Sequence, residues 1–317
     1  MMMKKSIVGI EMDSKEIRAV ELSGTKRKPE IINWAKIELP EGVVKEGRVA
    51  DKQLLPAYLT RLFNENGFKS KYVILGINNN DVIMRLAVFP KVPMDKMNNM
   101  IRFQAGEYIP VPIEEIELDY IVLEEKNTEI GEQVSVLLVG ARKKMLNDFI
   151  DAFTKANLTI CEIDSTLLAV GRSALINNDD SSFVLVVFNY DIANILIFSN
   201  GILSVTRSVS IANSFEPNIT HGQRMERIAD ILLTEIKTSI GYHKIQNNEN
   251  IEKIIVMGNR EEQEIIAGIL QDTTGLSVKT LKTNLSLNYK RHKGDLRTIQ
   301  TPDYLASISL AFRGLGD

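Results

Sequence analysis

The sequence predicts a mixed α/β protein built from two related halves. Segments with the two-residue period of strands alternate with segments of helical period along the whole chain. Two regions about 175 residues apart also share one plan: a buried strand, a short polar turn and two further strands. Such a repeat indicates two facing lobes whose hairpin turns point into a shared cleft, where backbone amides can hold phosphates. Because hairpins with Asp and Asn turns are common, a coincidental match is the alternative.

The elements of the first half follow from periodicity and from Gly and Pro breaks. Strands are expected over 7–12, 17–22 and 31–39, as a pair over 72–77 and 82–89, and near 118–123 and 133–139. Helices are expected from Leu54 to Phe63, from the N-cap Asp95 to the break at Ile109-Pro110, and from Met145 to Phe153.

The second half opens on three successive strands, over 183–188, 192–199 and 202–211. A long helix from Met225 to Ile240 follows, and then a buried strand over 254–257 that ends at Gly258. Two more helices, around 265–270 and from Pro302 to Phe312, complete the predicted elements.

The composition excludes several classes of function. With 38 Lys and Arg against 41 Asp and Glu, the net charge of −3 argues against a nucleic-acid-binding protein. Cys161 is the single cysteine and the three histidines are scattered, so a disulfide, a zinc site and a Cys/His nucleophile pair all lack their parts. No apolar run reaches the roughly 18 residues of a spanning helix, and no signal segment follows the MMMKK start. We therefore expect a cytoplasmic protein with no direct membrane insertion.

Five segments resemble one family. GIEMDSKEIRAVEL is similar to the first phosphate-loop hairpin of actin-like ATPases. LPEGVVKEGRVAD and FQAGEYIPVPIEEIELDYIVLEE are similar to stretches peculiar to PilM-type proteins of type IV pilus assembly. TEIKTSIGYHK resembles their long second-lobe helix, and PDYLASISLAFRGL resembles their C-terminal helix. The segments occur in the family's order over essentially the full length, so the chain resembles the PilM-type branch of the actin-like family, which is related to FtsA.

The resemblance implies a fold and a division into domains. The implied fold is α/β and actin-like, with duplicated RNase H-like lobes and an inserted subdomain in each lobe. The implied boundaries are 1–30 for the N-terminal hairpin of the first lobe, 31–131 for an inserted small subdomain with a partner groove, 132–180 for the rest of the first lobe, 181–214 for the second lobe, 215–253 for its helical insertion, 254–300 for the rest of the second lobe, and 301–317 for a C-terminal helix that packs on the first lobe.

The resemblance also implies a function. PilM-type proteins are peripheral at the inner face of the cytoplasmic membrane, because they bind the N-terminal cytoplasmic tail of a PilN-like membrane protein and so join the other components of the pilus or secretion platform. The implied function is that of a scaffold of this platform. An active Mg-ATP-dependent ATPase that cycles to regulate assembly is the alternative; a small-molecule kinase and an FtsA-like filament are further ones, and whether the chain is an enzyme stays open.

ATP and Mg²⁺ are the cofactors that the family implies, and three loops supply the candidate residues. In the first loop Glu11 stands at the family's aspartate and is the candidate metal ligand, while Asp13 stands at a glycine. A carboxylate at that glycine position repels phosphate, and Val187 replaces the aspartate of the second loop. These departures predict weakened or absent nucleotide binding and no catalytic residue. The candidate cofactor-binding residues are Glu11, Asp13, Ser14, Lys15, Asn189, Tyr190, Asp191, Glu235, Gly258, Asn259 and Arg260.

Binding of a partner peptide requires none of that chemistry. An extended peptide gains main-chain hydrogen bonds from an exposed strand edge and specificity from side-chain pockets. We expect such a groove where the first-lobe insertion meets its parent lobe, with Arg85 facing a carboxylate or carbonyl of the peptide. In the alternative interpretation, Tyr108 and the prolines only shape a loop. The candidate partner-binding residues are Met84, Arg85, Leu86, Tyr108, Ile109, Pro110 and Pro112.

Overall fold

A computed structural model describes residues 6–129, 131–176, 181–212, 219–282, 288–289, 299 and 301–316. In that part of the chain two large β-sheets form the centres of two lobes, and a small third sheet lies beside the first lobe. No helix among the described residues is both long and apolar enough to cross a bilayer.

The first half of the chain alternates strands and helices. Its elements are β1 (Ser6–Met12), β2 (Glu16–Thr25), β3 (Lys28–Glu38), β4 (Val44–Lys45), β5 (Arg48–Val49), α1 (Leu54–Asn66), β6 (Tyr72–Ile77), β7 (Val82–Pro90), α2 (Met94–Gln104), β8 (Ile116–Thr128), β9 (Gly131–Arg142), α3 (Lys143–Lys155), β10 (Thr159–Ser165) and α4 (Thr166–Ile176), with short 3₁₀ turns at Ala105–Glu107 and Ile113–Glu115.

The second half repeats this alternation. Its elements are β11 (Phe183–Phe188), β12 (Ile192–Ser199), β13 (Ile202–Ser210), α5 (His221–Asn247), β14 (Lys253–Met257), α6 (Arg260–Thr274), β15 (Ser277–Thr280), β16 (Asn288–Tyr289) and α7 (Thr301–Arg313).

The two large sheets have the same topology, which confirms the predicted duplication. In the first, β1, β2 and β3 form an antiparallel meander, β6 lies parallel beside β1, and β10 lies parallel beside β6. In the second, β11, β12 and β13 form the meander, and β14 and β15 add the parallel strands. The turns β1–β2 and β11–β12 therefore occupy equivalent places in their lobes.

Helices cover both faces of each sheet. Helices α1 and α3 cover the outer face of the first sheet, and α5 and α6 cover the outer face of the second. Between the sheets lie α4 and α7: Leu305 of α7 packs in the second-sheet core and Ile308 in the first-sheet core. Gly9 of β1 permits this contact, because a Cβ there would lie 2.0 Å from the carbonyl oxygen of Ser307.

The small sheet has the order β7-β9-β8 and packs against α2 around Phe89, Met97 and Ile101. These elements span residues 82–142, whereas the predicted insertion spans 31–131. The difference arises because β3 and β6 belong to the first-lobe sheet. The predicted pairing of 72–77 with 82–89 is wrong for the same reason: the chain leaves the first-lobe sheet at residues 78–81.

Helix α5 accounts for most of the predicted second-lobe insertion, 215–253. It begins with a capping box, in which the Thr220 side chain accepts from the Gln223 N–H and the Gln223 side chain accepts from the Thr220 N–H. Its apolar side covers the second-lobe sheet through Ile228, Leu232 and Ile236. The described part of this insertion is therefore one long helix on the sheet, and the remaining domain boundaries stay predictions.

Candidate functional site

The two equivalent turns face each other across a cleft of about 520 Å³ between the lobes. The loop between β14 and α6, the start of α7, parts of β2 and β3, and Arg224 of α5 also line it. Carboxylates outnumber cations among the described residues of the lining, so the cleft has a surplus of negative charge. The carboxylates are Glu11, Asp13, Glu16, Glu38, Glu261, Glu262 and Asp303, and the cations are Lys15, Arg18, Lys36, Arg224 and Arg260.

The first turn binds its own backbone amides. The Oδ1 atom of buried Asp13 accepts the N–H of Lys15 at 2.8 Å and the N–H of Glu16 at 3.0 Å. The Asp13 N–H in turn donates to the Glu16 carbonyl at 3.1 Å. Aspartate is favoured in turns because its short side chain can make these local bonds. The two amides therefore already have an anionic acceptor from within the turn.

The second turn repeats the arrangement with an amide in place of the carboxylate. Asn189 Oδ1 accepts the N–H groups of Asp191 and Ile192, each at 2.9 Å, and the Asn189 N–H donates to the Ile192 carbonyl at 3.1 Å. The same three hydrogen bonds in both turns are a second mark of duplication.

A carboxylate from the second lobe joins the two turns. Asp191 Oδ1 accepts the hydroxyl of Ser14 at 2.6 Å, and Asp191 Oδ2 accepts the Ser14 N–H at 2.9 Å. The Ser14 hydroxyl oxygen also accepts the N–H of Glu46 at 3.1 Å, from the loop between β4 and β5. Burial raises the pKa of Asp191, although the hydrogen bonds from Ser14 oppose this. Ser14 is thus held by two other segments, the β11–β12 turn and the β4–β5 loop.

Arg18 of β2 lies among three carboxylates. Its guanidinium contacts Glu16 at 2.6 Å, Asp13 at 3.2 Å and Glu11 at 3.3 Å. Burial disfavours the charge on Arg18, but these carboxylates outweigh burial and raise its pKa. Burial raises the pKa of Glu11, and the charge of Arg18 only partly opposes this rise. The position predicted for a metal ligand therefore contacts a fixed cation.

In the third loop, between β14 and α6, backbone N–H groups also donate to side chains of the same chain. Asn259 caps α6 by accepting the Glu262 N–H at 3.0 Å, and Asp303 of α7 accepts the Arg260 N–H at 2.8 Å. Gly258 is required by close packing, because a Cβ there would lie 2.5 Å from the ring of Phe188. The predicted residues Gly258, Asn259 and Arg260 do line the cleft, and the glycine makes room for a side chain of the protein itself.

Tyr190 lies in the cleft between two cations. Its ring centroid is 5.5 Å from Lys15 Nζ and 5.3 Å from the Arg224 guanidinium carbon. Arg224 also donates to Glu262 at 2.8 Å, and burial lowers the pKa of its guanidinium. Lys15 and Tyr190 were predicted at this site, and the structure brings them together.

Glu235 lies outside the cleft lining, so its predicted place beside a nucleotide is corrected. The N-terminal turn of α5 reaches the cleft at Arg224. Glu235 is three turns further along the helix, about 16 Å away at 1.5 Å per residue. There it accepts a hydrogen bond from Arg207 of β13 at 2.8 Å.

A second groove, of about 300 Å³, separates the edge strands β7 and β13. The outward edge of β7 is marked by two side-chain bonds: the Met84 carbonyl accepts from Arg85 at 2.8 Å, and the Val88 carbonyl accepts from the Tyr108 hydroxyl at 3.3 Å. Because the backbone of a paired strand faces alternate sides, the backbone of Leu86 faces the same edge.

The predicted partner-binding residues divide into exposed and buried positions. Leu86 is 37% exposed, and Arg85, Pro110 and Pro112 are also exposed. Met84 borders the groove but its side chain is buried, and Ile109 is buried in the core of the small sheet with α2. Ile109 therefore packs in this core, and its predicted direct contact with a partner is corrected.

Comparison with known proteins relates this geometry to a family. The structure of a PilM–PilN type IV pilus biogenesis complex matches with a TM-score of 0.82 and 23% identity, over 98% of this chain and 99% of that chain. The ethanolamine utilization protein EutJ from Carboxydothermus hydrogenoformans matches with a TM-score of 0.53 and 10% identity, over 98% and 90%. A Bacteroides thetaiotaomicron protein with an actin-like ATPase fold and unknown function matches with a TM-score of 0.49 and 14% identity, over 90% and 93%.

A model of the family described as type IV pilus assembly protein PilM matches residues 9–203, well over half of the chain. The chain belongs to this PilM family. Its fold is the actin-like fold, with two sheet-based lobes.

In the cleft of this PilM family member, the donors of the two turns and the candidate metal ligand Glu11 already have partners within the chain. The turn amides that would face phosphate oxygens are already bonded to Asp13, Asn189 and Asp191, and the two carboxylates would repel an added phosphate. Glu11 contacts Arg18, and no cluster of three or more metal-ligating side chains occurs in the described residues.

Sequence reasoning missed several charged residues of the PilM cleft, among them three on the first meander and one on α5. Arg18, Glu16 and Lys36 lie on strands whose alternating pattern indicates a solvent-facing side, and Arg224 lies within an amphipathic helix. The signal for Arg18 was its position opposite Glu11, seven residues away on the paired strand.

Proposed function

We propose that the chain is a scaffold of a type IV pilus or related secretion platform that binds the N-terminal cytoplasmic tail of a PilN-like membrane protein without nucleotide. Membership of the PilM family supports the pilus role. The similar PilM–PilN complex supports a PilN-like partner, and such a partner would hold the chain at the inner face of the cytoplasmic membrane.

The observation that carries the docking role is the open edge of β7 beside the groove to β13. An added strand would bond to the backbone of Leu86, and would replace the side-chain bonds at Met84 and Val88. Leu86 and Val88 are 37% and 50% exposed on one side of this strand, so apolar residues of the tail have a surface to cover. Arg85 then becomes available for a carbonyl or carboxylate of the tail.

Calorimetric titration of the full chain with a synthetic N-terminal tail of the PilN-like protein tests this role. We expect binding without added Mg-ATP, and a loss of at least about tenfold in affinity for Leu86→Lys, because a charge replaces an apolar contact. Ile245→Lys, at an 83% exposed position on α5, is the matched control and should bind as the parent does. Absence of tail binding both with and without Mg-ATP would reject the scaffold role.

A thermal-shift measurement separates the scaffold from the ATPase alternative. A ligand at 100 times its dissociation constant adds about 2.7 kcal/mol to the free energy of unfolding. We expect no increase in Tm at millimolar Mg-ATP, since the turn amides are already bonded. A clear increase would favour the ATPase.

A further inference from the structure

We propose that the chain's own charged groups hold the two lobes together in place of a bound Mg²⁺-phosphate group. Asp191 of the second lobe is the anion that Ser14 of the first lobe binds, and Arg18 is the cation that neutralises the carboxylates on the first-lobe side of the cleft. We call the Ser14–Asp191 contact the interlobe latch, because it joins the β1–β2 turn of one lobe to the β11–β12 turn of the other. The latch concerns the cleft alone and does not depend on tail docking.

Ser14 presents two hydrogen-bond donors to the carboxylate of Asp191. Its N–H and its hydroxyl both donate to one carboxylate, at 2.9 and 2.6 Å, which is the pair of donors that a phosphate group would use. Hydrogen bonds to an ionised acceptor are about twice as strong as neutral ones. Asp191 is only 3% exposed, so solvent competes weakly for this contact.

The latch is braced by a third segment. The Ser14 hydroxyl accepts the Glu46 N–H, and the next residue, Gly47, has a φ of +69° and accepts from the Asn79 side chain at 2.7 Å. A Cβ on Gly47 would lie 2.4 Å from the carbonyl oxygen of Asn78. The β4–β5 loop is thus packed closely against Asn78 and Asn79, and it holds Ser14 in place in the ligand-free protein.

Arg18 is a cation on the first-lobe side of the cleft. Three carboxylates converge on one guanidinium that is 12% exposed, and each of them is within 3.3 Å. A buried group of carboxylates requires a cation, and here the cation is covalently part of the chain. All four groups belong to the first lobe, so Arg18 neutralises this side of the cleft from within the chain, while the Ser14–Asp191 contact is what joins the lobes.

Distance measurement between spin labels tests the latch directly. Cys161 is exposed on the first lobe and is the single cysteine, and Gln271→Cys supplies an exposed second label on α6 of the second lobe. For the parent pair we expect one narrow distance distribution that does not change with Mg-ATP. Asp191→Ala should add a longer-distance population, and it should tighten binding of inorganic triphosphate about tenfold or more, because a repelling carboxylate is removed and the Ser14 donors are released.

Two further variants decide the result. Ser14→Ala keeps the carboxylate and removes the 2.6 Å bond, so it should open the cleft without creating a triphosphate site; it also serves if Asp191→Ala fails to fold. Asp148→Ala is the control: it removes a carboxylate of α3 that binds Lys52 within the first lobe, and its label distances should match the parent. An unchanged distribution in the folded latch variants, or a parent whose distances change with Mg-ATP, overturns the proposal. The calorimetric titration with the PilN-like tail tests the scaffold role separately, so its outcome does not depend on either of these results.

Discussion

Glu11 and Glu16 both contact Arg18, yet their surroundings shift their pKa values in opposite directions. Burial raises the pKa of Glu11, and the attraction of Arg18 does not fully offset it. Burial also acts on Glu16, but Arg18 and Lys36 together outweigh it and lower the pKa of Glu16. Because a pKa difference between folded and unfolded chain makes stability depend on pH, the two residues should contribute opposite slopes.

For Glu16→Gln we expect a free energy of unfolding about 1 to 2 kcal/mol below the parent at pH 7, since a charge-assisted bond is lost. The deficit is fully present above pH 4.5, the ordinary pKa, and it disappears as the pH falls through the lowered folded pKa of Glu16. Urea unfolding between pH 3 and pH 8 measures it.

Glu11→Gln is the contrasting variant. Since the folded pKa of Glu11 is raised, the parent should gain stability relative to this variant as the pH falls through that raised value towards 4.5, and the gain should be constant below it. Parallel pH profiles for the two variants would contradict the opposite shifts.

At the scale of single residues, much of the cleft could be predicted because turns are local structures. Glu11, Asp13, Ser14 and Asn189 were found because the two hairpin segments resemble the family's phosphate loops, and all except Ser14 line the cleft directly. The latch itself was not predictable from pattern, since it joins residues 177 positions apart. Arg18 was missed because its burial depends on carboxylates from a strand and a turn on either side of it.

At the scale of elements, the contact of α7 with β1 depends on the absence of a side chain at Gly9. Gly9→Ala places a Cβ 2.0 Å from the Ser307 carbonyl and 2.5 Å from the Ala311 nitrogen, both backbone atoms that cannot rotate away. We expect a loss of about 3 kcal/mol or more in the free energy of unfolding, because the helix must move off the sheet. Thermal or urea unfolding provides the measurement.

Gly268→Ala is the matched control for this substitution. Gly268 is an exposed position of α6 where an added Cβ would meet no neighbouring atom within 4 Å, so alanine should raise stability by up to about 1 kcal/mol through helix propensity. Equal effects of the two variants would show that the contact between α7 and β1 is not tight.

Strand and helix positions were predictable because each has its own period, but strand partners were not. The strands over 72–77 and 82–89 are separated by a four-residue turn, which favours a hairpin. In the structure β6 instead lies parallel to β1, and β7 pairs with β9. A period of two identifies a strand without saying which sheet it joins, so the extent of the small-sheet module was also missed.

At the scale of the whole molecule, the duplication was visible in the sequence because each lobe begins with the same strand-turn-strand plan. The facing arrangement of the lobes was also predicted, but the layer of α4 and α7 between the two sheets was not. These helices contribute apolar side chains to both sheet cores: Val170 and Leu305 to the second, and Ala169 and Ile308 to the first. The two lobes therefore share one apolar interior layer in addition to the polar contacts at the cleft.

A shared interior layer predicts that the lobes unfold together, although a chain of 317 residues with two lobes would ordinarily unfold in separate steps. Trp34, the single tryptophan, is buried in the first-lobe cluster with Ile308, and its fluorescence reports on that lobe. Leu305→Ala removes a side chain that is 1% exposed and packs in the second-lobe core, at a cost of about 2 to 5 kcal/mol. In urea, this variant should move the Trp34 fluorescence midpoint and the circular-dichroism midpoint by the same amount. A Trp34 midpoint that stays at the parent value would mean that α7 does not couple the two lobes.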